Sequence, residues 1–203
     1  MSSLDIIKTI ETELLIITAV AANAQQKSSV LDLTNVKKVA IFVDHGRTAT
    51  TAFVGAGTEY RVEASQKATG DDTWRTIASY PCGIAAATEI TADADEAVAE
   101  TTVLCSASLP TLGDIVFWEN ATLANSEWAK VVAIVSTGGS ESFTIQYGLT
   151  NAQTAAKKIY NKGEHWAPLL DVAAHKRLRV ICNNNAGSTN AAIKCRVAAI
   201  TQS

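Results

Sequence analysis

The sequence predicts an all-β protein: an antiparallel β-sandwich, Ig-like or jelly-roll-like, with a small inserted β-barrel or β-sheet subdomain and an N-terminal arm. Three observations carry this. The stretch 58–82, TEYRVEASQKATGDDTWRTIASYPC, reads as one hairpin, because Tyr60, Val62 and Ala64 alternate with Glu59, Arg61, Glu63 and Ser65. The run KKVAIFVD over 37–44 is near-continuously apolar and of strand length, as a central strand requires. The composition is 47% hydrophobic with only 6% aromatic residues, and its many small and β-branched residues suit thin sheets packed face to face.

In chain order, residues 1–12 are amphipathic, a short helix or an arm. Glu13–Val20 is rich in Ile and Thr and favours a strand. LLIITAVAANAQQ has the texture of an export signal, but Asp5, Glu11 and Glu13 against Lys8 give the preceding segment the wrong sign, so it reads as mature structure. Its apolar run, roughly nine residues, falls short of the ~20 that span a bilayer. Val30, Leu31 and Leu33 form a short strand closed by a Thr34–Asn35 turn. After 37–44 the run HGRTATTAFVGAG reads as a loop, punctuated by Gly46, Gly55 and Gly57.

The hairpin turns at KATGDD, where Gly70 is free to take positive φ and Asp71 and Asp72 can bond their own backbone. Trp74, Thr76, Ala78 and Tyr80 restart the alternation. Short strands follow at 88–91 and 101–106. Leu109–Pro110 marks a change of texture. GDIVFWEN, EWAKVVAIVS and SFTIQYGLT give three strands in a compact unit, the last two joined at Gly138–Gly139. Residues 152–160 read as a helical turn. KRLRVICNNN and NAAIKCRVAAIT then form a second hairpin, with Leu178, Val180 and Cys182 on one face and Ile193, Cys195, Val197 and Ala199 on the face opposite them. The predicted organisation is a discontinuous sandwich over 1–108 and 162–203, with an inserted small β subdomain at 109–161.

Function classes narrow from charge and motif. A net charge of −3 argues against general nucleic-acid binding, which needs a basic surface to displace counterions. Asp44, His45 and Arg47 lie close in sequence, but adjacent strand residues point to opposite faces, so Asp44 and His45 do not converge. Glu164, His165, Asp171 and His175 invite a metal reading, yet their spacing matches no zinc motif. Asp71–Asp72 and Asp93, Asp95 and Glu96 could serve calcium, but the DxDxDG pattern is missing and solvated turns account for them. No GxSxG, GxxxxGK[ST] or GxGxxG occurs. No catalytic residue, cofactor or metal is therefore assigned. The four cysteines show no metal spacing, and Cys182 and Cys195, on the apolar faces of strands expected to pair, read as buried free thiols, with a disulfide between them the alternative. Trp74, Trp118 and Trp166 are the places where an exposed aromatic platform for sugar would lie.

Arg177 and Arg179 share the non-core face of one predicted strand, and Lys194 and Arg196 that of the next, giving a basic stripe. Cross-strand ion pairing with neighbours such as Glu59 and Glu63 is one account, and docking on an acidic protein surface is the other.

The segments VLDLTNVKKVAIFVDHGR, TEYRVEASQKATGDDTWRTIASY and KRLRVICNNN together resemble auxiliary structural proteins of tailed bacteriophages, most closely capsid decoration or cement proteins, alongside neck and tail β-sandwich proteins. The resemblance covers the main domain and not 109–161. It implies a non-enzymatic virion protein, made in the host cytoplasm, that binds the major capsid protein or another virion protein at the capsid surface and strengthens the shell as a homo-oligomer, without nucleic-acid or membrane partners. On that reading the interface candidates are Arg177, Arg179, Lys194 and Arg196, with Ile6, Ile7 and Ile10 on an N-terminal arm over residues 1–24. The alternatives are a carbohydrate-binding sandwich or a neck or tail structural protein of a phage.

Overall fold

A computed structural model describes residues 9–48, 50, 52, 57–71, 73–105, 108–137, 141–154, 158–185 and 193–202, without the side chains of 9–11. The described residues form two antiparallel sheets, one of ten strands and one of five. The predicted all-β sandwich is what forms.

The larger sheet starts at β1 (Thr9–Val20). The smaller holds β2 (Ala24–Lys27) and β3 (Leu31–Asp32), both paired with a later strand. β4 (Lys38–Arg47) lies inside the larger sheet. β5 (Thr58–Ser65) and β6 (Arg75–Pro81) are the predicted hairpin, and Gly70 between them has φ +91°. Next come β7 (Glu89–Thr91), β8 (Thr102–Cys105), β9 (Ile115–Trp118), β10 (Glu127–Ser136) and β11 (Glu141–Ile145). The chain ends with β12 (Lys158–Trp166), β13 (Leu169–Asp171), β14 (Arg177–Asn184) and β15 (Ile193–Gln202). The larger sheet runs β1-β15-β4-β12-β9-β10-β11-β8, with β13 beside β4 and β7 beside β12. The smaller runs β2-β14-β5-β6, with β3 beside β14.

Alternation explains which residues meet. Inward-facing Val39, Ile41 and Val43 of β4 and Val197 and Ala199 of β15 face Tyr60 and Val62 of β5 and Leu178 and Val180 of β14, forming the main core. Beyond β12 the larger sheet curls over a second core of Ile90, Val103, Val116, Trp118, Val131, Phe143, Ile145 and Ile159. β7 and β8, which precede Pro110 in sequence, contribute to that second core. Ala92 meets Cys105 in a single bridge, and of the two predicted forms, barrel or sheet, the curled sheet is observed without a closed barrel.

Four expectations are corrected. The 9–24 part of the N-terminal arm belongs to the chain's own sheets: β1 pairs along β15 from Thr9↔Gln202 to Val20↔Ile193, and Leu14 and Val20 are buried in the main core. Ile10 pairs with Thr201 within that ladder, while Ile6 and Ile7 lie outside the described residues. His45–Arg47 continue β4 rather than opening a loop, because β15 supplies a hydrogen-bonding partner throughout and both faces are covered. Lys158–Tyr160 are strand, not helical turn, since Ile159 fits between Ile90 and Trp118. β14 and β15 do not form a hairpin. β14 pairs with β5 from Arg177↔Ser65 to Asn184↔Thr58, and β15 pairs with β4 from Ile193↔Arg47 to Gln202↔Lys38. Each strand thus has a long partner in its own sheet, and their apolar faces meet across the core. The Gly138–Gly139 turn and positions 186–192 lie outside the described residues, but β10 and β11 pair as that turn requires.

Candidate functional site

Asp44 of β4 lies on the larger sheet's outer face. Because β4 runs between β15 and β12, its register neighbours are Arg196 and His165. Arg196 Nε donates to Oδ2 at 2.7 Å, and His165 Nδ1 lies 2.7 Å from Oδ1. Burial pushes the Asp44 pKa upward, but the His165 hydrogen bond and the Arg196 charge overcome this and hold it below the usual carboxylate value. Both carboxylate oxygens are engaged, so the group ties three strands together. A cleft of about 410 Å³ adjoins it, lined by His165, Trp128, Lys130, Gln146 and Tyr147.

His45 points the other way, into the main core, as the strand alternation requires. Its Nδ1 lies 2.9 Å from the Tyr60 hydroxyl. Burial, reinforced by the Arg47 charge, drives its pKa down to about 3, so it is a neutral imidazole at ordinary pH. Arg47, 1% exposed, donates to the carbonyls of Gly83 at 3.2 Å and Ala85 at 2.8 Å. Glu164 accepts from the Tyr80 hydroxyl at 2.5 Å and the Gly83 N–H at 2.7 Å.

The residues of the metal reading go to separate partners. Glu164 serves Tyr80 and Gly83, His165 serves Asp44, and Asp171 accepts from the Ala173 N–H at 3.1 Å. Among the described residues no three His, Cys, Asp or Glu side chains are grouped to hold a metal ion. In the acidic turns Glu96 is buried beside Gln153, Asp71 accepts from Trp74 Nε1 at 3.2 Å, and Asp72 lies outside the described residues.

The basic residues do not form one stripe. Arg177 and Arg179 lie on the outer face of the smaller sheet, Lys194 and Arg196 on that of the larger, so the sandwich separates the pairs. Arg177 donates to the carbonyls of Lys67 at 2.9 Å and Gly70 at 2.6 Å. Arg179 pairs with Glu63 at 2.8 Å, Lys194 with Glu119 at 3.4 Å and Arg196 with Asp44. Cross-strand pairing accounts for Arg179. The three tryptophans are equally scattered. Trp74 lies under the guanidinium groups of Arg177 and Arg179, 4.7 and 4.2 Å from its ring centroid. Trp118 is in the second core, and Trp166 stacks on Tyr80 with ring centroids 5.5 Å apart. They form no shared platform.

A different surface stands out, and the sequence reading passed over it. Where β8, β11 and positions 132–135 of β10 lie side by side, past the exposed Lys130 that pairs with β9, the outward residues are Thr102, Leu104, Ser142, Thr144, Ala133 and Val135, with Val132 exposed where the β10 register shifts. None carries a charge. Leu104 is 49% exposed, Val132 44% and Val135 48%. The signal was present in VVAIVS, which is apolar on both strand faces although only one can meet the core.

Among the described residues no helix is long and apolar enough to cross a membrane. No protein-family model matches the chain, and no curated protein sequence does. Among solved structures the chain is similar to the SPBc2 prophage-derived protein YomS, with TM-score 0.37 and 8% identity over all of both chains. It is similar also to infectious bursal disease virus, Gx strain, with TM-score 0.29 and 9% identity over 98% of this chain and 40% of that one. VP17, a capsid protein of bacteriophage P23-77, is similar with TM-score 0.24 and 9% identity over 97% of this chain and 95% of that one.

Proposed function

We propose that this chain is a non-enzymatic structural protein of a tailed-phage virion, which binds the outer capsid shell and stabilises it. The observation that carries the reading is the uncharged outer face where β8, β11 and positions 132–135 of β10 adjoin. A solvated sheet face ordinarily carries polar and charged residues. Here three aliphatic side chains stand close to half exposed among Thr, Ser and Ala. Exposed apolar patches of this kind mark association surfaces. The polar groups elsewhere support the same reading from the opposite side. Asp44, Glu63, Glu119 and Glu164 are each committed to a neighbour on another strand or segment, in arrangements that fasten the fold. The resemblance of the main domain to decoration and cement proteins supplies the partner class.

Binding of the purified chain to undecorated capsids tests this. Wild type is expected to co-sediment. Leu104→Glu with Val135→Glu should lower occupancy at least about tenfold, since burying a charge against an apolar partner is costly. Arg177→Ala with Lys194→Ala should leave occupancy within about threefold. Failure of wild type to bind any phage capsid, or full occupancy by the glutamate variant, overturns the proposal.

A further inference from the structure

We propose that Cys182 and Cys195 form an oxidisable pair that closes into a disulfide between the two sheets. The register places them opposite each other. Cys182 on β14 is the cross-strand neighbour of Tyr60, and Cys195 on β15 is the cross-strand neighbour of His45. Cross-strand neighbours stand about 5 Å apart on one face of a sheet. Tyr60 and His45 meet across the core at 2.9 Å, with ring centroids 5.7 Å apart. The thiol beside each therefore faces the other at the same level of the sandwich. Both are free and fully buried in the main core, and the Cys182 thiol, followed by burial, raises the pKa of Cys195, as a close neighbour does. Closure needs the two sulfurs to approach to about 2.05 Å.

The chemistry balances with a small disulfide such as oxidised glutathione. One cysteine thiolate attacks it and releases one glutathione thiol. The second cysteine thiolate then attacks the mixed disulfide and releases the other. Two protein thiols are oxidised to one disulfide, and one glutathione disulfide is reduced to two thiols. The neighbouring Cys182 thiol and burial raise the Cys195 pKa and hold the thiol protonated. Exchange therefore runs while the chain folds or opens, and the closed bond is afterwards shielded from reductant. The competing thiol is Cys82, buried in the same core, whereas Cys105 belongs to the second core.

The test is refolding with oxidised glutathione, followed by intact mass, peptide mapping and thermal melting. The refolded chain is expected to be lighter by two hydrogens, to yield a Cys182–Cys195 linked peptide, and to melt about 6 °C or more above the reduced chain. Cys182→Ala and Cys195→Ala should each lose the mass change and the rise in melting temperature, and Cys105→Ala should keep both. The peptide map of the wild-type chain decides the matter even where a variant folds poorly. Four free thiols after oxidative refolding, or a linkage to Cys82, overturns the proposal.

Discussion

Arg179 on β14 and Glu63 on β5 are direct cross-strand partners, and the guanidinium reaches the carboxylate at 2.8 Å through Nη2 and 2.9 Å through Nε. Side-chain exposure is 15% for Arg179 and 14% for Glu63, so the pair is screened less than an ordinary surface bridge. The ring of Trp74 covers the guanidinium from the other side at 4.2 Å. A double-mutant cycle on Arg179→Ala and Glu63→Ala should give a coupling of about 1 kcal/mol, the upper end for exposed pairs. Trp74→Ala should remove roughly a further 0.5–1 kcal/mol. Urea melts at low and high salt check this. A coupling near zero at low salt would show that the two contacts to Glu63 Oε2 contribute nothing.

Gly46 packs against Phe117, which belongs to a small third cluster with Ala87 and Tyr160. A Cβ added at Gly46 would lie 2.6–2.9 Å from three carbons of the Phe117 ring, which is itself buried against Tyr160 and Ala87. Gly46→Ala should therefore cost about 1–3 kcal/mol by overpacking. Phe117→Leu opens a gap on its own, but in the double variant the two changes should partly cancel. Chemical denaturation of the four species measures the non-additivity. Additive losses would mean that the ring is free to move aside.

The same glycine shows what was readable from residue order and what was not. Period-2 alternation located β5, β6, β14 and β15, because one-sided burial writes itself into the chain every second residue. It misread His45–Arg47 because those positions are buried by elements remote in sequence: β15, the Phe117 ring and the segment carrying Gly83 and Ala85. A polar residue covered by distant chain looks like a loop residue locally. The Leu178–Val180–Cys182 and Ile193–Cys195–Val197 faces were placed opposite each other correctly, but alternation alone does not say whether such faces meet within one sheet or across two. Strand pairing decided that, and with it the fate of the basic stripe. Of the candidate interface, Arg179 and Arg196 went to carboxylates on neighbouring strands, and the apolar face of β8, β10 and β11 emerged only once the second core showed which alternate residues were already used.

His45 gives the fold an acid-sensitive point. Its folded-state pKa is about 3 against 6.5 for the free side chain. Between those values the unfolded chain binds a proton that the folded chain refuses, so stability falls as pH drops below 6.5 and the loss is complete near 3. The slope approaches 1.4 kcal/mol per pH unit for this one group. Asp44 acts in the same direction but lower, its stabilisation being lost as pH falls through its depressed folded value, below 3.8. The window from pH 6 to 4.5 therefore isolates the imidazole from Asp44. His45→Gln keeps a polar side chain near Tyr60 and removes the titration. Its stability curve should be flatter than wild type across that window by up to about one proton. Parallel curves would mean that the imidazole is protonated in the folded state.

Adjacent residues on β8 separate folding from docking. Val103 is fully buried against the second core, and Leu104, the next residue, is 49% exposed on the uncharged face. Val103→Asp buries a carboxylate among Phe143, Ile145 and Trp118, so it should cost about 3 kcal/mol or more, enough to lower the thermal midpoint by several degrees. Leu104→Asp places the same carboxylate in water and should stay within about 0.5 kcal/mol of wild type. Thermal and urea melts of the two variants measure this directly. Equal destabilisation would mean that Leu104 is covered within the isolated chain, and the face would then not be available to a partner. A stable Leu104→Asp variant instead makes any loss of capsid occupancy a property of the surface alone.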